Sequence, residues 1–418
     1  MRKIRKRILF AGCLGLNLIS IVFLLGCRRS VQTGLDRVHD YAYLFDGKRV
    51  GIVTNHTAYD SKDEHIVDVF SKIERVRVTA LFGPEHGIRG EETGGDGIAD
   101  EVNPEQKIPI YSLYGKTQKP TEEMLKDVDI LVFDIQDVGA RFYTYVYTMA
   151  LAMEAAAEQG IPFVVLDRPN PIGGVLVEGS ILQSDFASFV GLYPVPVRHG
   201  MTVGELARMM NEEGWLVNGV RAELTVVPMK GWNRSMWYDE TGLVWRKTSP
   251  NMPSLAVATV YPGMCLFEGT NVSEGRGTDA PFLQIGAPWM NSEEVLRRVR
   301  TFDLPGVRFQ AVNFTPRTIE GTAPYPKYED EECRGIRLVV KDRNAYRSFL
   351  TGVALVKSIH DMYPELFEWR SGHFNRLCGT DRIRKMIMDG APLDSIEASW
   401  KDELSDFLAK RKTHLLYD

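Results

Sequence analysis

Four short polar segments each follow an apolar run, and they hold the residue types that acid–base chemistry requires. They are TNHT at 54–57, GPEHGIRG at 83–90, DIQDVGAR at 134–141 and DRPNPIGG at 167–174. In open parallel sheets, ligands bind outside the carboxyl ends of the strands. If the preceding runs are neighbouring strands, these carboxylates, amides, imidazoles and arginines line one polar cleft. Two carboxylates across such a cleft suit glycoside hydrolysis, in which one protonates the leaving oxygen and the other assists at the anomeric carbon.

Glu85 leads the catalytic candidates. Pro84 precedes it and Gly83 and Gly87 flank it, so the backbone can turn tightly and point the carboxyl inward. The competing structural reading has Glu85 capping a helix or pairing with Arg89. His86 is placed to tune that carboxyl or bind a hydroxyl. Asp134 and Asp137 are the candidates for the second carboxylate, with pairing to Arg141 as the structural alternative for either. Asn55, His56, Gln136 and Asn170 supply groups able to read hydroxyls, whereas Asp167 and Arg168 read as partners of their neighbours. Tyr143, Tyr145 and Tyr147 offer a stacking platform, although Tyr143 and Tyr147 at i, i+4 equally describe a helix face packed on a sheet. A later glycine-rich loop, EGTNVSEGRGT at 268–278, adds Glu268, Asn271 and Arg276 as substrate contacts. It reads alternatively as a solvated connection. The acidic stretch 91–97 is a candidate lid and lacks EF-hand spacing.

Several chemistries are excluded by missing motifs. There is no P-loop and no GxGxxG fingerprint, which argues against a nucleotide. No GxSxG elbow marks an α/β-hydrolase, and no HExxH or CxxC spacing marks a metal. No cofactor is implied. An esterase or amidase acting through an unmarked Ser or Cys stays open as a rival, as does a non-catalytic binding protein.

The elements that must position these residues alternate. Runs at 48–54 (KRVGIVT), 75–82 (RVRVTALF), 129–135 (DILVFDI) and 161–166 (IPFVVL) read as strands, the last two buried on both faces. A helix is expected over 143–159, closed by Gly160, and another over 202–214, with Thr202 and Glu205 at capping-box spacing. This alternation predicts an α/β fold with a mostly parallel sheet. Pro and Gly are dense from 250 to 288, where few regular elements are expected. A boundary near Pro253 divides the mature chain into 28–253 and a smaller α+β part, 254–418. In the latter, helices are expected over 292–301 and 345–363, strands near 307–314 and 336–340, and one long amphipathic stretch from 381 to about 415. The length of 418 residues, with 44% hydrophobic and 25% charged, fits two globular domains.

Residues 1–27 stand apart. A basic cluster (Arg2, Lys3, Arg5, Lys6, Arg7) precedes an apolar run that ends in Leu24-Leu25-Gly26-Cys27. This is the layout of a secretory signal with a lipobox, which makes Cys27 the expected lipid attachment point and places the body outside the cytoplasm on a membrane. An uncleaved anchor helix is the alternative. Loss of residues 1–26 removes five basic and no acidic residues and moves the net charge from −5 to −10. So acidic a body offers no broad surface for nucleic acid. Cys265, Cys333 and Cys378 then remain, and they are expected as free, buried thiols.

Six segments, GPEHGIRG (83–90), DIQDVGARFYTYVYTM (134–149), LDRPNPIGG (166–174), PVRHGMT (196–202), SPNMPS (249–254) and LFEGTNVSEGRGTDAPF (266–282), together resemble the NamZ-type exo-β-N-acetylmuramidases. The resemblance runs from about Val50 to the C-terminus. It implies a Rossmann-like N-terminal domain, a smaller C-terminal domain and a cleft site. The implied reaction removes terminal N-acetylmuramic acid (MurNAc) from the non-reducing ends of peptidoglycan fragments such as MurNAc–GlcNAc. The family's catalytic glutamate maps onto Glu85, with Glu92 in the same segment as the alternative. Muramic acid carries a lactyl carboxylate, for which a bidentate arginine is the natural partner. Arg89, Arg141, Arg168 and Arg276 lie in candidate cleft loops, and Arg141 and Arg276 are the leading choices.

Overall fold

A computed structural model describes residues 30–90, 101–102 and 108–418. Cys27, the stretch 91–100 and Glu92 lie outside the described residues. Six parallel strands form the main sheet: β1 (Arg49–Thr54), β2 (Arg77–Gly83), β3 (Pro109–Ser112), β4 (Ile130–Asp134), β5 (Phe163–Leu166) and β6 (Leu224–Val227). Their spatial order is β3-β2-β1-β4-β5-β6, and Glu101–Val102 pairs antiparallel on the β3 edge. This is the doubly wound order, which reverses between β1 and β4. β1 pairs with β4 from Val50 opposite Ile130 to Thr54 opposite Asp134, so both strands end level. Every residue of β4 and β5 is buried, as expected of strands covered on both faces.

The helices follow from local chemistry. α1 (Tyr145–Glu158) connects β4 to β5 and ends before Gly160, whose φ of 65° suits glycine. α2 (Val203–Glu212) carries the expected capping box: Glu205 N–H donates to Thr202 Oγ1 at 3.2 Å, and Thr202 N–H to Glu205 Oε2 at 3.0 Å. Strands β3 and β6 were not expected from the sequence. Both are largely half-buried, so neither presents a continuous apolar run.

The second part is α+β. Strands β7 (Gln284–Ala287), β8 (Val307–Phe314) and β9 (Cys333–Val340) form an antiparallel sheet in the order β7-β9-β8. The Pro- and Gly-dense stretch is more regular than expected. It holds α3 (Leu255–Met264), a short 3₁₀ helix (Cys265–Gly269) and β7. α4 is Ser292–Val299, and α3 crosses α5 (Ser348–Met362) at two glycines. A Cβ on Gly263 would lie 1.9 Å from the Ser348 carbonyl oxygen, and one on Gly352 would lie 2.2 Å from the Gly263 oxygen. Only glycine permits that approach. The expected single stretch from 381 is three helices, Arg382–Met388, Leu393–Ala398 and Lys401–Arg411, interrupted near Gly390 and Pro392. The chain end then returns to the first part, where the Tyr417 hydroxyl donates to Asp167 at 2.6 Å. Cys265, Cys333 and Cys378 are free and buried.

The crevice where the strand order reverses is filled by protein. Asp134, fully buried at the end of β4, accepts from both Nε and Nη2 of Arg168, the latter at 2.8 Å. The same guanidinium donates at 3.1 Å to the Tyr59 carbonyl in the segment after β1. Removing one member of a buried pair leaves the other charge uncompensated. Asp134→Ala is therefore expected to lower stability by about 3–5 kcal/mol in urea unfolding. A loss below about 1 kcal/mol, as for an exposed pair, would contradict this role.

Candidate active site

A cavity of about 630 Å³ opens between the two parts of the chain. The loop after β2 delivers Glu85 to it. Gly87 N–H donates to the Pro84 carbonyl at 2.9 Å, and His86 and Gly87 both take left-handed backbone, φ 70° and 69°. This tight turn presents Glu85 and His86 to the cavity. Thr144, at the N-terminus of α1, donates its hydroxyl to Glu85 Oε2 at 2.7 Å. Glu85 forms no salt bridge among the described residues. Beside it the Tyr143 and Tyr145 rings meet edge to face with centroids 4.9 Å apart. Tyr143 donates to Thr248 Oγ1 at 2.8 Å and Tyr145 to the Thr248 carbonyl. Burial pushes both phenols up, so they stay neutral donors.

The opposite wall is ionic. Arg276 Nη2 donates to Glu268 at 2.6 Å, and its Nε lies 3.5 Å from Glu274. His373 Nε2 lies 3.5 Å from Glu268. Lys327 Nζ donates to Glu274 at 2.9 Å and to the carbonyls of Phe267 and Val272 at 2.7 and 3.0 Å. Burial alone would raise the Glu268 pKa, but Arg276 and His373 override it and hold the group at about 2. Arg370 also lines the cavity; it is exposed and in no salt bridge among the described residues.

Of the candidate site residues singled out in the sequence, Glu85, His86, Tyr143, Tyr145, Glu268 and Arg276 share this cavity. The others lie outside its lining. Asp134 is committed to Arg168. Asp137 is buried, accepts from Gly139 N–H at 2.7 Å and is pushed up to about 7 by burial. Arg141 is no anion site. It is fully buried and donates to the carbonyls of Ser180, Val195 and Leu377, each at 2.8 Å. Burial lowers its pKa to about 10. Arg168 is equally buried. Asn55 caps its own turn, accepting from Thr57 Oγ1 at 2.6 Å. Gln136 donates to the Asp137 and Pro169 carbonyls, and Asn170 to the Met201 carbonyl. His56 hydrogen-bonds the Lys247 carbonyl. Asn271 clamps residues 366–368 through Leu366 O and Glu368 N–H. Arg89 is exposed outside the lining. Tyr147 packs beside Tyr193 instead of reaching the cavity. Sequence reasoning did not nominate Thr144, Glu274, Lys327, Arg370 or His373. Thr144 and Glu274 lie inside segments already marked, and the other three carry no local signature.

Comparison with known proteins follows from both halves. The family models described as "Exo-beta-N-acetylmuramidase NamZ, N-terminal" and "C-terminal" match residues 50–256 and 259–417. The chain is 49% identical over 389 residues to the peptidoglycan beta-N-acetylmuramidase NamZ of Bacillus subtilis (strain 168), covering 93% of this chain and 91% of that one. Two crystal structures of DUF1343 family proteins from Bacteroides fragilis are similar. They superpose with TM-scores of 0.85 and 0.77, each at 35% identity, over 93% of this chain and 99% of theirs.

The ionic wall makes a pH prediction. Because Glu268 titrates lower folded than unfolded, its stabilisation is complete above the ordinary carboxylate range and is lost as the pH falls toward 2. Arg276→Met removes its main counter-charge, so the acid-unfolding midpoint should rise by about one pH unit. An unchanged midpoint would show that Arg276 does not hold Glu268 ionised.

Proposed function

The chain belongs to the NamZ exo-β-N-acetylmuramidase family, and from that premise we propose that it is a glycoside hydrolase releasing MurNAc from the non-reducing ends of peptidoglycan fragments, MurNAc–GlcNAc among them. The observation that carries the reading is the unequal treatment of the cavity carboxylates. Glu268 and Glu274 are ion-paired, whereas among the described residues the Glu85 carboxylate has the Thr144 hydroxyl and no salt bridge. With Thr144 donating to Oε2, Oε1 is left to carry a proton to the glycosidic oxygen, so Glu85 is assigned the general acid. Glu268, held ionised, takes the role first given to Asp134 or Asp137 and stabilises positive charge developing at the anomeric carbon. Exo action follows if the ionic wall closes the cavity beyond the terminal sugar. A binding protein without turnover is the less favoured reading, because the similar B. subtilis protein is named as a muramidase.

The lactyl carboxylate needs a cation. Arg276 already serves two carboxylates and Arg141 is sealed among carbonyls, so Arg370 is the arginine we assign to it. A chromogenic β-MurNAc glycoside, with the β-GlcNAc glycoside beside it, tests the whole reading on residues 28–418. Glu85→Gln should lower kcat by about 10²–10⁴, with Asp137→Asn retaining activity. Loss in Glu92→Gln with retention in Glu85→Gln would move the acid to Glu92. Arg370→Ala should raise KM for the MurNAc glycoside by roughly 10–100-fold, the worth of a charge-assisted hydrogen bond. No release from either glycoside by the parent protein would reject the hydrolase.

The lipobox reading extends the proposal to a lipid-anchored, exported protein that meets wall fragments where they arise. Cys27→Ser should move the full-length chain from the membrane to the soluble fraction of its host. Retention in the membrane would favour an uncleaved anchor instead.

A further inference from the structure

Tyr325 stands on the rim of the cavity with 89% of its surface exposed. Its backbone takes φ 53°, a conformation uncommon outside glycine and, for a bulky side chain, one that must be held in place. The surrounding loop holds it. Pro324 and Pro326 flank it. On one side the Thr322 carbonyl accepts from Asn251 Nδ2 at 2.6 Å. On the other, Lys327 is fixed by Glu274 and two carbonyls. Arg317 N–H also donates to the Gly277 carbonyl at 2.9 Å, directly after Arg276. Gly277 permits that approach, since a Cβ there would meet the Arg317 oxygen at 2.5 Å. The loop carrying Tyr325 is thus tied to the same ionic wall that lines the interior.

An exposed aromatic ring on a fixed loop beside a polar cavity is a stacking surface, and a tyrosine has only two side-chain torsions to order on binding. Its position decides what it meets. In an exo reaction the terminal sugar fills the interior, and the sugar across the scissile bond lies toward the mouth. We infer that Tyr325 forms the aglycone subsite, stacking on the face of the sugar that follows the scissile bond, GlcNAc in the disaccharide. The inference rests on the muramidase reading for the identity of that sugar.

Calorimetry on the Glu85→Gln protein tests it without turnover, using MurNAc–GlcNAc and methyl β-N-acetylmuramide as ligands. Adding Tyr325→Ala should reduce affinity for the disaccharide about tenfold relative to the methyl glycoside. Tyr325→Phe and Tyr325→Trp should restore the ratio. Tyr325→Gly, which relieves the backbone, should keep or raise Tm while losing the disaccharide preference. An unchanged ratio in Tyr325→Ala, a loss in Tyr325→Phe equal to that in Ala, or no disaccharide binding would overturn the subsite. Failure of the muramidase reading shows separately, as no MurNAc release by the protein with Glu85 intact while the binding ratio still responds to Tyr325.

Discussion

The buried pair of Asp134 and Arg168 decides where this molecule can work. A doubly wound sheet has one natural ligand crevice, at the point where its strand order reverses. Here that point lies between β1 and β4, and the pair closes it by reaching across to the Tyr59 carbonyl. Two charges buried side by side tie the ends of three strands together, and neither can leave without stranding the other. The usable cavity is consequently displaced toward β2, where the second part of the chain supplies the opposite wall. The sheet becomes a scaffold that holds Glu85 and Thr144 in place while substrate meets residues from both halves.

The two walls differ in character. The sheet side presents a glutamate hydrogen-bonded to a neutral hydroxyl, next to tyrosines that burial keeps protonated. The far side presents carboxylates locked to Arg276 and Lys327. A glycosidase needs one group able to give a proton and another that keeps its charge. The segregation of neutral donors from fixed ion pairs supplies that difference. The return of the chain end to Asp167 ties the C-terminal part back onto the sheet.

Much of the scaffold was legible because burial writes itself into sequence. β4 and β5 are covered on both faces and read as continuous apolar runs, and the Thr202–Glu205 capping box is purely local. The outer parallel strands β3 and β6 are half-buried and left no such signature. For the site, Glu85, His86, Tyr143, Tyr145, Glu268 and Arg276 were marked by glycine-rich turns or by aromatic clustering. Asp134 and Arg141 look equally functional in a loop sequence. Nothing local shows that one partner is Arg168, 34 residues on, or that an Arg141 acceptor is Leu377, 236 residues on. His373 acquires meaning only when folding brings it to Glu268, 105 residues earlier, and Arg370 only when the cavity it lines is formed.

The most direct test of this account is a crystal structure of the Glu85→Gln protein with MurNAc–GlcNAc. The account predicts the terminal sugar between the Tyr143–Tyr145 pair and the Arg276 wall, with the glycosidic oxygen within about 2.6–3.2 Å of the residue 85 side chain. A disaccharide seated over the β1–β4 crevice, or one whose glycosidic oxygen faces away from residue 85, would contradict it.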